Sequence, residues 1–70
     1  MKITNTAEFG KAIRARRKEL EYTQVFLSEF SGLSVSFISD VENGKSTVEL
    51  GRALMLANLL GMDLTLEERA

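Results

Sequence analysis

The sequence predicts an all-α domain of four short helices, closed by one short β-strand that needs a second chain to pair with. Three observations predict it. Capping residues recur ahead of apolar stretches, at Asn5, Thr23, Ser34 and Ser46. The seventy residues contain no proline, so helices can run without forced breaks. After Gly61 the apolar spacing changes from three or four residues to two.

Asn5-Thr6-Ala7-Glu8 is a capping-box pattern. Phe9, Ala12, Ile13, Arg16, Arg17 and Leu20 follow at helical spacing and predict a first helix over about residues 6–20. Thr23 caps a second helix, about 24–30, with Leu27 and Ser28 inward and Val25 near them. Gly32 ends it, because glycine takes the left-handed conformation without penalty. Ser34 caps a third helix, about 35–42, whose inward pair is Ile38 and Val41; Asn43-Gly44 stops it. Ser46-Thr47-Val48-Glu49 is a second capping-box pattern. It opens a fourth helix, about 47–60, with Leu50, Ala53, Leu54, Ala57 and Leu60 on one face. Gly61 sits at the expected C-terminal position.

Beyond Gly61, Met62, Leu64 and Leu66 alternate with Asp63, Thr65 and Glu67. This is the period of a half-buried strand, about residues 62–66. A fifth helix capped by Asp63 competes with it, and Lys2-Ile3-Thr4 is a weaker candidate for a neighbouring strand. A lone strand cannot satisfy its own backbone. The natural partner is the same strand of a second copy, with Met62, Leu64 and Leu66 as the dimerisation residues of a homodimer.

Composition excludes much. There is no cysteine and no histidine, hence no disulfide, no thiolate or imidazole metal site and no histidine base. No phosphate loop or outstanding carboxylate pair appears, so neither an enzyme nor a cofactor or metal is expected. No stretch approaches the roughly 18 apolar residues of a membrane helix. No apolar run follows the first charge. A single domain over residues 1–70, soluble and cytoplasmic, is the expectation. Net charge is −1, but it is unevenly spread. Residues 1–18 hold six cations and one anion, whereas residues 19–44 hold five anions and no cation. The basic end suits phosphates or is simply a solvated helix face.

The informative stretch runs from Thr23 to Lys45, TQVFLSEFSGLSVSFISDVENGK. Two short helices around a glycine turn, about residues 23–42, describe a helix-turn-helix, whose second helix can enter a major groove of double-stranded DNA. The segment resembles the Cro/repressor (XRE) family. The likeness rests on Thr23-Gln24, Gly32, Ser34, Ile38 and Glu42-Asn43-Gly44-Lys45. It implies roles for DNA binding at Gln24 on the backbone, at Ser34, Val35, Ser36, Ser39 and Asp40 on the third helix, and at Asn43 and Lys45 as a phosphate clamp. It also implies a structural salt bridge between Arg17 and Glu42. One departure stands out. The reading face carries no Arg, Lys, Gln or Asn, the side chains that bond guanine or adenine bidentately. Groove shape and deformability then carry more of the specificity.

The tail, Leu60-Gly61-Met62-Asp63-Leu64-Thr65-Leu66, resembles the HipB-like antitoxin branch, in which a C-terminal strand pairs across a dimer. That likeness implies an autorepressing antitoxin with a kinase-type toxin as partner. A phage or restriction–modification controller is the alternative, and a protein-only interaction module is another. For the latter, Phe26 and Phe30 lie off the inward face of the second helix, with Phe37 near the junction. They read either as cover for the unit's outer surface or as a protein-binding patch.

Overall fold

The computed structural model describes residues 2–70; Met1 lies outside them. Four helices follow in order: α1 Thr6–Glu19, α2 Gln24–Ser31, α3 Val35–Glu42 and α4 Leu50–Leu59. Three open on the expected caps. Asn5 accepts from the Glu8 amide, Thr23 from the Phe26 amide and Ser34 from the Phe37 amide. The Glu8 carboxylate accepts from the Thr4 amide (2.7 Å) and hydroxyl (2.6 Å).

The fourth start differs from the expectation. Helix α4 begins at Leu50, and its cap is Glu49, whose carboxylate accepts from the Gly51 amide (3.0 Å) and the Arg52 amide (2.7 Å). Ser46 lies in the preceding turn. A carboxylate at the cap takes two orphan amides and also faces the positive helix end, which a serine hydroxyl cannot match. The buried face also differs from the expectation. Leu50 is 69% exposed and Leu54 is at the surface, while Ala53, Leu56, Ala57 and Leu60 are buried. Val25 is likewise exposed.

The core gathers Ile13 of α1, Leu27 of α2, Leu33 of the turn, Ile38 and Val41 of α3, and Leu56, Ala57 and Leu60 at the α4 end. Phe9, Leu20, Tyr22, Phe37, Val48 and Met62 pack around it half-buried. Helix α1 crosses the end of α3 at Gly10. A β-carbon there would collide with the Val41 and Glu42 carbonyl oxygens. The missing side chain is therefore what permits this approach. At the other end of α1, Arg16 Nε donates to the Leu60 carbonyl (2.8 Å), tying α1 to the C-terminus of α4.

After α4 the chain reverses at Gly61, φ 78°, and the Met62 amide donates to the Ala57 carbonyl (3.0 Å). No helix or strand forms beyond this among the described residues. Neither strand expectation, 62–66 or 2–4, is met within one chain, and the fifth helix is not formed. Residues 2–4 and 65–69 do border one open hollow, so the two extended ends are neighbours without forming a ladder. A strand exists only with a hydrogen-bonded partner, and a single chain offers the tail none.

Candidate nucleic-acid interface

Helices α2 and α3, eight residues each, are too short to hold an angle by themselves. Side chains lock the turn between them. Gly32 takes φ 79°, Ser31 Oγ accepts from the Leu33 amide (3.0 Å), and Ser28 Oγ donates to the Leu33 carbonyl (2.5 Å). Leu33 is thereby delivered to the core. Ser28, expected to face inward, does so as a polar brace.

The end of α3 is held more firmly. Arg17 Nε and Nη2 donate to the two Glu42 oxygens at 2.6 and 2.9 Å, a bidentate pair. Both side chains are almost fully buried. Arg17 Nη1 donates to the Tyr22 carbonyl (2.8 Å), and Gln24 Nε2 donates to Glu42 Oε1 (3.1 Å). One carboxylate thus fastens α1, the start of α2 and the end of α3. Burial pushes the Glu42 carboxyl up. The hydrogen bonds from Arg17 and Gln24 and the charges of Arg17 and Arg14 outweigh this and hold it below the ordinary carboxylate value. The hydrogen bond to Glu42 raises Arg17 in turn.

This scaffold presents α3 outward. Val35 and Ser36 are exposed, and Ser39 and Asp40 are half-buried on the same side, opposite Ile38 and Val41. Asn43 Nδ2 donates to Ser39 Oγ (3.3 Å), and Lys45 Nζ lies 3.5 Å from Asp40 Oδ2. The Ser34 hydroxyl is occupied as the cap of α3. Beyond α3, Gly44 turns at φ 79°, and its carbonyl accepts from Thr6 Oγ1 (2.9 Å), which pins this loop to the start of α1. The structure therefore pairs Asp40 with Lys45, Ser39 with Asn43 and Gln24 with Glu42, and leaves Val35 and Ser36 facing solvent.

Two features escaped the sequence reading. The inward role of Gln24 had no signal, because its partner is distant in sequence. Thr6 as a brace had none either, since a helix-start threonine reads only as a capping-box member. In the tail, Met62 packs on its own core while Leu66 is fully exposed and Leu64 is 44% exposed. The three alternating residues do not share one environment. Leu64 and Met62 instead rim a shallow apolar hollow of about 260 Å³ with Ile3, Phe9 and Ala12.

Residues 13–66 match the family described as helix-turn-helix. This chain belongs to the helix-turn-helix family. The helix-turn-helix chain is 33% identical to an uncharacterized HTH-type transcriptional regulator, y4mF, of Sinorhizobium fredii, over 90% of its own length and 83% of that protein's. It is 36% identical to the immunity repressor protein of Bacillus phage phi105, over 80% of this chain but only 39% of that protein. Its fold is similar to a chain of a HipB–O4 20mer complex, TM-score 0.88, 23% identical, covering all of this chain and 99% of the other. A chain of a HipA–HipB–O2–O3 complex is similar to the same degree. Among the described residues no helix is long and apolar enough to cross a membrane.

Proposed function

We infer that this chain is a DNA-binding transcriptional regulator whose α3 enters the major groove. The observation that carries the reading is the exposed Val35–Ser36 edge of α3, held at a fixed angle by the buried Arg17–Glu42–Gln24 cluster. A rigid scaffold presenting a short helix is what groove reading needs. The regulator and repressor names of its relatives support the same reading.

In the finer reading, Ser36 and Ser39 meet base edges, Val35 meets a thymine methyl, and Ser34 and Gln24 approach the backbone at two helix starts. Asn43 and Lys45 meet phosphate. Lys45 must then exchange Asp40 for a phosphate, because the two lie 3.5 Å apart in the free protein. The exposed Leu64 and Leu66 support a homodimer built on tail pairing, which would set two α3 helices against successive major grooves of a near-palindromic operator. A cytoplasmic autorepressing antitoxin, with a kinase-type toxin as partner, fits the likeness to HipB chains solved with HipA. The phi105 likeness favours a phage-type controller as the second reading.

The test is fluorescence anisotropy with DNA from upstream of the chain's own reading frame, over a salt series. Binding should weaken linearly in log salt, and Lys45→Ala should flatten that slope by about one. Ser36→Ala and Ser39→Ala should change sequence preference more than slope. Salt-independent binding, or none, would defeat the reading.

A further inference from the structure

Tyr22, just ahead of α2, and Phe26 and Phe30 on it recur every fourth residue and make one continuous aromatic stripe. The Tyr22 and Phe26 ring centroids are 4.9 Å apart, and those of Phe26 and Phe30 are 6.2 Å apart with rings 9° from parallel. Phe26 is 47% exposed, Phe30 59% and the adjacent Val25 58%. Solvent-facing phenyl rings stacked on each other form a contiguous apolar patch, which is not the scatter of single apolar residues that any surface shows. Tyr22 packs half-buried on the core, but Phe26 and Phe30 serve neither the core nor the α3 face.

Charge decides what such a patch accepts. Residues 19–44 contain no cation. Exposed Glu29 stands beside Phe30, one turn from Val25 and Phe26, and exposed Glu21 adjoins Tyr22. Phosphate is repelled there. A second copy is disfavoured too, because self-association would bring the same carboxylates face to face. On a helical wheel Phe26 lies about 160° from Gln24, whose amide turns inward to Glu42. The stripe therefore faces away from that cluster.

We propose that the Tyr22–Phe26–Phe30 stripe docks a cationic amphipathic helix of a partner protein, its apolar residues covering the two phenyl rings and its arginines or lysines meeting Glu21 and Glu29. A guanidinium also gains over an aromatic face, and helix-in-groove recognition uses apolar anchors at this spacing. The proposal is independent of the DNA reading.

The experiment is a titration of the ¹⁵N-labelled full chain with three synthetic peptides. One is an amphipathic helix of leucine and arginine, one the same helix with glutamate for arginine, and one an arginine–serine peptide of equal charge without an apolar face. Only the first should shift the amides of residues 25–30 saturably. Glu29→Lys and Phe30→Ser should each raise its Kd about fivefold or more, the scale of an interface hot spot. Glu29→Lys alters no packing and carries the test even if Phe30→Ser folds poorly. Shifts centred on α3, equal binding of the glutamate peptide, no saturable shift, unchanged Kd in Glu29→Lys, or the same shifts arising from protein concentration alone would each overturn it.

Discussion

Arg17 and Glu42, twenty-five positions apart, form a buried two-bond ion pair that joins the end of α1 to the end of α3. Arg17 Nη1 and Gln24 Nε2 add bonds around it, and no buried side-chain polar atom among the described residues lacks a partner. Such a pair contributes little beyond an apolar replacement but is costly to break on one side, because the survivor is left charged and dry. Arg17→Met and Glu42→Leu should each lose about 3–5 kcal/mol, measured by urea denaturation. The double variant should lose clearly less than the sum of the two; additivity would show that the residues do not interact.

The same pair sets an acid limb. Glu42 is held below its ordinary value of 4.5, so the unfolded chain takes up its proton first as pH falls. Its stabilisation is complete above the unfolded value and is lost as pH drops through the depressed folded value. Thermal melts from neutral pH downwards should show Tm falling below about pH 4.5. Glu42→Gln should flatten that fall. An unchanged acid limb in Glu42→Gln would assign it to other carboxylates.

Gly10→Ala should destabilise, against the general preference for alanine in helices. Helix propensity favours alanine by about 1 kcal/mol. The added β-carbon, however, meets two backbone carbonyl oxygens at the end of α3, and backbone cannot rotate aside. Overpacking of this kind costs about 1–3 kcal/mol. A melt showing a more stable variant would mean that α1 and α3 separate freely.

Asp40→Asn should tighten DNA binding. The change frees Lys45 from its 3.5 Å neighbour and removes an anion from the α3 face. A gain of a few-fold at low salt, diminishing as salt rises, is expected for an exposed charge. Weaker binding would place Asp40 in a direct base contact.

The tail should govern assembly. Leu64→Asp with Leu66→Asp should leave the melt nearly unchanged in dilute protein, since both side chains are exposed, and should abolish the dimer in sedimentation. Truncation after Gly61 is a poorer probe, because it also removes Met62 from the core. A Leu64/Leu66 double variant that sediments as a tight dimer would move the interface elsewhere.

Local chemistry determined what the sequence disclosed by itself. Asn5, Thr23 and Ser34 cap because a short side-chain oxygen reaches an amide three residues on. Gly32 ends α2 because only a residue without a β-carbon enters the left-handed region freely. Ile38 and Val41 turn inward through the helical period alone. The pairing of Arg17 with Glu42 was legible only through family likeness, since no local rule links residues so far apart. Tertiary structure decided the rest. The start of α4 moved from Ser46 to Glu49 because a carboxylate satisfies two amides at once, and packing against the other helices buried Leu56 and left Leu50 exposed. Gln24 was drawn to Glu42, and Asp40 to Lys45, by neighbours that only the folded arrangement supplies. Met62 went to the core while Leu66 stayed in water, because packing depends on what surrounds a residue. Period alone records only which residues share a side.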